Sequence, residues 1–299
     1  MKTIFYSISI ALLATSCNSA IKDTKTEVLV EEGTQIMDDE TPSLDEMLGF
    51  WVGDFEADVP LTQEKLGIHA NEGFWWNRAN KIGISIDEIE NDQVVGHSIV
   101  AGNNRPFLGS VNKGEFHVKE PGDHMHDGEF KFQILLGKLI GEWTAYENID
   151  IKKRKYTLEK KTFAYSPGQM LEKGKRFVDW NTVNDDGKYD AELEEMVATF
   201  KSATAKIYSI NASSKLLSKK DVENLKKGDL LIIRNTIYAR HGYSFKYRPL
   251  RIFFDAQEWY MPVHTDIKSD FTEIEKKNIQ LMLRYEKNAV EYYDYFGRG

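Results

Sequence analysis

The chain has 299 residues, 41% hydrophobic and 29% charged, with a formal net charge of −8. That is the composition of a globular protein with room for two ordinary domains. The acidic balance argues against nucleic acid as a partner, because neutralising phosphates needs an excess of lysine and arginine. Cys17 is the only cysteine, which excludes a disulfide within the chain and any site built from several thiolates.

Met1 to Ser16 reads as a secretory leader. Lys2 supplies the positive start, and Ile4 to Ala14 is apolar apart from Tyr6 and two serines, too short a run to span a bilayer. Leu13-Ala14-Thr15-Ser16-Cys17 resembles the lipobox of bacterial lipoproteins. The resemblance implies cleavage after residue 16 and lipid on Cys17, so that the membrane is one partner. Two acyl chains, at about 0.8 kcal/mol per buried methylene, would hold the protein there. Asn18 follows in place of Asp, and by resemblance to Gram-negative sorting this implies a lipid-anchored place in the cell envelope, at the outer membrane. Residues 17–43 carry Asp23, Glu27, Glu31, Glu32, Asp38, Asp39 and Glu40 against Lys22 and Lys25, the pattern of a disordered acidic tether.

From residue 44 the period becomes two. Ile82, Ile84 and Ile86 alternate with smaller or polar residues, as do Phe116 and Val118, then Phe130, Phe132 and Ile134, then Tyr156 and Leu158. Turn-forming clusters punctuate them at Asn91-Asp92, Gly102-Asn103-Asn104, Asn112-Lys113-Gly114, Pro121-Gly122-Asp123 and Asp127-Gly128. Short strands joined this way predict an antiparallel barrel or sandwich over residues 44–212. Gly49-Phe50-Trp51, at the opening of the first strand, resembles the lipocalin pattern, which implies a tryptophan plugging one barrel end. A barrel interior could hold a small apolar ligand against Trp75, Trp76, Phe107 or Trp143, or those rings could simply fill the core.

Asp123-His124-Met125-His126-Asp127 places two imidazoles on one side of an extended segment, so His124 and His126 are the candidate metal ligands. Their position between turn residues equally fits an exposed hairpin connection. Asp179 to Gly187 is rich in oxygen donors but fails the spacing of a calcium loop, since Leu193 falls where a bidentate glutamate belongs; an acidic turn is expected. A brief helix is expected over 192–196, a strand or linker over 197–210, and the domain boundary at Asn211 to Ser214. Gly168 to Lys175 misses a phosphate loop by one residue, and no hydrolase, zinc-protease or dinucleotide motif occurs. Neither a catalytic residue nor a cofactor is expected.

The last stretch is the most specific. Leu230, Ile233 and Ile237 form the apolar stripe of a short helix, with Asp229 capping its start and His241-Gly242 at its end. Arg234 and Tyr238, four apart, share another face. Ser218-Lys219-Lys220-Asp221 reads as a capped helix start, Pro249 opens a further short helix, and Thr272-Glu273-Ile274-Glu275 is a capping box for a final one. Residues 218–286, with Tyr238-Ala239-Arg240-His241-Gly242 at their centre, resemble the YARHG domain. That implies an extracytoplasmic module with a cell-wall association.

The expectation is therefore an α+β chain. Residues 1–16 form a signal peptide, 17–43 a lipidated tether, 44–212 an all-β antiparallel barrel (lipocalin-like) or sandwich, and 213–299 a small all-helical domain. Its expected function is that of a non-catalytic binding module of the cell envelope. Arg234, Tyr238, Arg240, His241, Tyr243, Trp259 and Tyr260 would meet peptidoglycan or an envelope protein, or else tie the helices together. The alternative is a carrier of a small hydrophobic ligand in the barrel interior.

Overall fold

Backbone φ is positive at Asn91 and Asp92, Ala101 and Gly102, Lys113 and Gly114, and Leu136 and Gly137. Paired left-handed residues of this kind make the tight turns that match the twist of antiparallel strands. The computed structural model describes residues 42–58, 80–173, 182–190, 195–201, 203–289 and 292–293. After a single helical turn, α1 (Leu44–Met47), come β1 (Gly49–Ala57), β2 (Asn80–Glu90), β3 (Gln93–Val100) and β4 (Asn103–Asn112). β5 (Glu115–Lys119), β6 (Gly128–Leu135), β7 (Lys138–Ala145) and β8 (Lys153–Lys160) complete the set. These strands close into an antiparallel barrel in chain order, with β1 pairing to both β2 and β8.

The barrel, not the sandwich, is the outcome. Trp51, Ile84, Ile86, Phe116, Phe132, Leu139 and Leu158 are buried in its interior, so the alternating positions face inward. Trp51 is 1% exposed and donates its indole N–H to Met47 O at 2.9 Å, which holds α1 against the barrel. The predicted turn at Gly102-Asn103-Asn104 sits one residue earlier, with Asn103 and Asn104 already in β4.

One strand breaks the alternation. Lys81, Gly83 and Ser85 of β2 point away from the core and are nonetheless buried. For Lys81 and Gly83 the cause is the helical region docked on that wall, within the one unit Thr41–Gly299. A Cβ on Gly83 would lie 2.8 Å from Pro262 O, so only glycine lets the backbones approach this closely. Lys81 Nζ donates to Gln257 O at 2.7 Å and Tyr260 O at 3.2 Å, and Lys81 N donates to Asp255 Oδ2 at 3.0 Å. Burial pushes the Asp255 carboxyl up to about 7.

The helical region comprises a 3₁₀ turn (Ala205–Tyr208), α2 (Lys219–Val222), α3 (Lys227–Arg240), α4 (Arg248–Asp255) and α5 (Glu273–Glu286). Its core gathers Leu230, Ile233, Ile237, Phe253, Phe254 and Met282, and also takes in Leu171 and Ile207, which precede the expected boundary, and Ala212 within it. The helix signals are where the sequence places them, with one shift. Asp229 does cap α3, but from inside the first turn, accepting from Lys226 N at 3.1 Å, so the helix begins earlier than Leu230. Ser218 N donates to Asp221 Oδ2 at 2.7 Å, and Thr272 Oγ1 accepts from Glu275 N at 3.2 Å. Gly242, at φ +70, ends α3 in the left-handed region.

β9 (Thr182–Asp190), β10 (Glu195–Lys201) and β11 (Tyr292–Tyr293) form a small antiparallel sheet. Thr182 to Gly187 therefore belong to a strand and not to the acidic turn expected over 179–187. Glu195 and Met196 are likewise in a strand where a brief helix was expected. Backbone pairing across the sheet outweighs the weak local preferences there. The leader, Cys17, nearly all of the tether, Trp75 and Trp76 lie outside the described residues. Among the described residues, no helix is long and apolar enough to cross a membrane.

Candidate functional site

The barrel changes character at one end. Asn80 lies two residues before Ile82, Arg105 two before Phe107, Arg154 two before Tyr156, and Glu120 two after Val118. A period of two puts all four on the inward side, joined by Ser98 of β3, which is 1% exposed. Above an apolar interior the mouth thus carries a polar layer, and burying such groups costs free energy unless something compensates. A cavity of about 610 Å³ opens here, with Phe55, Phe130, Trp143, Glu120, Val100 and Arg154 in its wall. The Phe55 ring lies 6.4 Å from that of Phe130 and 5.7 Å from that of Trp143, centroid to centroid. Phe107, 1% exposed, belongs to the core beneath; Trp143 is the one described member of the expected lining that borders the cavity.

The charged members of this layer differ in how they are satisfied. Arg105 Nε donates to Asp127 Oδ1 at 2.8 Å, and its Nη2 reaches both Asp127 and Asp123. Burial pushes the Asp127 carboxyl upward, but Arg105 and the N–H groups of Gly122 and His124 hold it below the ordinary value. Arg154 Nη1 donates to Phe55 O at 2.9 Å, and its guanidinium sits 5.0 Å from the Phe55 ring centroid. Glu120 is 7% exposed. It accepts from Ser98 Oγ at 3.1 Å, Gly128 N at 2.8 Å and Trp143 Nε1 at 3.2 Å. All of these are neutral donors, and among the described residues no cation pairs with it. Burial raises its pKa above the usual carboxylate range.

His124 and His126 sit in the β5–β6 connection at the rim of this mouth. Their rings are 5.4 Å apart, and Nδ1 of His124 accepts from His126 N at 3.2 Å. Among the described residues, no group of three or more His, Cys, Asp or Glu is placed to hold a metal ion. Asp123 and Asp127, the neighbouring carboxylates, are both engaged by Arg105.

A second polar cluster lies inside the helical region, around residues 238–242. Arg240, 3% exposed, donates from Nε and Nη2 to Gln169 O at 2.8 and 2.6 Å, and from Nη1 to Ser213 Oγ at 3.0 Å. Burial lowers its pKa to about 10. His241 Nε2 donates to Glu275 Oε2 at 2.9 Å, and its ring stacks on Tyr165 at 4.3 Å. The Tyr165 hydroxyl donates to Glu275 Oε1 at 3.0 Å. Burial would raise Glu275, but the bonds from His241, Ser213 and Thr272 bring its carboxyl down to about 2. Tyr260, 1% exposed, donates its hydroxyl to Tyr243 O at 2.7 Å.

Arg240, His241 and Tyr260 therefore face inward with internal partners. Arg234 pairs with Glu286 at 2.8 and 3.2 Å, while Tyr238, Tyr243 and Trp259 keep part of their surface. The partners of the motif lie partly on residues 163–172, the segment leaving β8. Gln169 and Tyr165 are held as above, Phe163 packs against Gly242, and Glu172 N donates to Gln257 Oε1 at 2.8 Å. Sequence reasoning recognised Glu275 as a helix cap but had no signal for Tyr165, Gln169 or the mouth residue Glu120.

The family model of the YARHG domain matches residues 205–287, so the chain contains a YARHG domain. Comparison with curated proteins and with solved structures gave no match.

Proposed function

We propose that this chain is a non-catalytic binding protein of the cell envelope, anchored through lipid on Cys17 at the outer membrane, whose ligand site is the mouth of the β-barrel. The supporting observation is the inward-facing polar layer of Ser98, Glu120 and Arg154 beside the aromatic walls Phe55, Phe130 and Trp143, around a cavity of about 610 Å³. A volume of that size suits a small molecule with an apolar body and a polar end. The YARHG domain braces one wall of the barrel through Lys81 and Gly83, and its motif secures the segment that leaves β8.

The test is binding of the neutral apolar dye N-phenyl-1-naphthylamine to the full chain, followed by its fluorescence. The reading expects saturable binding that is lost in Val100→Trp, which places an indole in the mouth. Binding unchanged in that variant would move the site elsewhere.

A second reading keeps a surface partner for the YARHG domain, cell wall or envelope protein, and is favoured by the partial exposure of Tyr238, Tyr243 and Trp259. Co-sedimentation with purified sacculi tests it: loss of sedimentation in Tyr243→Ala with an unchanged melting curve supports it, and no sedimentation of the parent protein ends it.

A further inference from the structure

The charge pattern of the mouth specifies more than a pocket. Among the inward-facing charged residues, Arg105 reaches two carboxylates, and Arg154 reaches a carbonyl and a ring face among its partners. Glu120 has three hydrogen bonds, all from neutral groups. A carboxylate oxygen pair offers about four lone-pair sites, and the described residues fill three of them. Three donors orient the carboxylate without neutralising it, and a desolvated charge is expensive where, as here among the described residues, no counter-charge pairs with it. The walls beside it are the rings of Phe130 and Trp143, with centroids 6.5 Å apart. Trp143 also donates its indole N–H to Glu120, which sets the carboxylate at the edge of the ring and fixes the ring's orientation relative to it. Aromatic faces attract cations, and an ammonium group is bound best where a carboxylate and ring faces converge. Arg154 over Phe55 shows that this ring layer already accommodates a cation at its rim.

We infer that the barrel mouth binds an organic ammonium compound, its cationic nitrogen on Glu120 beside Phe130 and Trp143 and its apolar body in the remaining cavity. This rests on the barrel-mouth reading above and names the ligand class. The hydroxyl of Ser98, the Gly128 N–H and the Trp143 indole act as positioning groups that hold the carboxylate toward the cavity.

The experiment uses the full chain with N-phenyl-1-naphthylamine bound, and displaces the dye with hexylammonium, hexanol or hexanoate at neutral pH. The expected result is displacement by hexylammonium at about tenfold lower concentration than by hexanol, with hexanoate weakest. Glu120→Gln keeps the side-chain size and removes the charge, so hexylammonium and hexanol should compete within about twofold of each other there, each measured against that variant's own dye affinity. Should that variant not fold, the series on the parent protein decides alone, and Glu120→Asp offers a second variant in which the preference shrinks. Equal displacement by all three compounds, or a preference that survives in Glu120→Gln, overturns the ammonium site while leaving the mouth reading intact. No dye binding at all overturns both.

Discussion

The barrel mouth and the YARHG domain both bury charged side chains, but they complete them differently. Around the motif of the helical region the buried charges find their partners within the protein: Arg240 donates to Gln169 and Ser213, and Glu275 accepts from His241, Tyr165 and Thr272. In the mouth, Glu120 is oriented by neutral groups and left without a counter-charge among the described residues. A closed network is what a fold needs to hold itself together. An oriented but uncompensated charge, beside open volume, is what a ligand site looks like before the ligand arrives. Arg240 and His241 of the motif are thus internal ties, and the proposed ligand chemistry rests on Glu120, one residue beyond β5.

The sharpest way to break this contrast is Arg240→Ala. It strands the Gln169 carbonyl and Ser213 inside the protein, and should cost about 3 kcal/mol of stability, read as a lower urea midpoint. A loss of less than about 0.5 kcal/mol, the range of ordinary surface changes, would return the arginine to a surface role. Next comes Gly242→Ala. Gly242 has φ +70, and a Cβ there would lie 2.8 Å from the Phe163 ring and 2.7 Å from Val263 Cγ2. Left-handed strain and crowding together should cost about 2 kcal/mol, seen in the same titration.

Acid sharpens the comparison, because the two buried carboxylates respond with opposite signs. Glu275 is depressed to about 2 in the folded state, so its contribution is present above the ordinary carboxylate pKa and disappears as pH falls from there toward 2. Glu120 is raised, so it favours the folded state most when protonated, and that advantage is lost as pH rises through its folded pKa. Glu275→Gln should therefore be less stable than the parent at neutral pH, with the deficit closing in acid. Glu120→Gln should show no deficit at neutral pH, with the parent gaining on it as pH falls. Urea midpoints for both variants across that range decide it, and the same sign in both would contradict the distinction. The smallest effect is expected at Leu136, 91% exposed at a hairpin tip, where Leu136→Ser should stay within about 0.5 kcal/mol in the urea titration.

Much of the fold was legible in the sequence, because periodicity and caps are local. The inward rows Ile82-Ile84-Ile86 and Phe130-Phe132-Ile134, the Thr272–Glu275 capping box and Gly242 as a helix stop all report short-range geometry. What could not be read is long-range. Lys81 and Gly83 are covered by a docked domain that lies far along the chain, and β10 pairs with β11 across a wide sequence separation. Glu120 looked like one of many surface acids, since nothing beside it in sequence says that the row Phe116-Val118 continues inward for one more step. Tyr165 and Gln169 meet His241 and Arg240 only in three dimensions, so the motif alone left both a contact surface and an internal tie open.

The most direct test is photo-labelling of the full protein with an alkylammonium probe carrying a diazirine, with the adducts mapped by mass spectrometry. The account predicts labelling in peptides around Ser98 to Val100, Glu120 to Phe130 and Trp143 to Arg154, suppressed by excess hexylammonium. Adducts concentrated around Tyr238 to Tyr260, or a mouth pattern that competitor does not suppress, would contradict it.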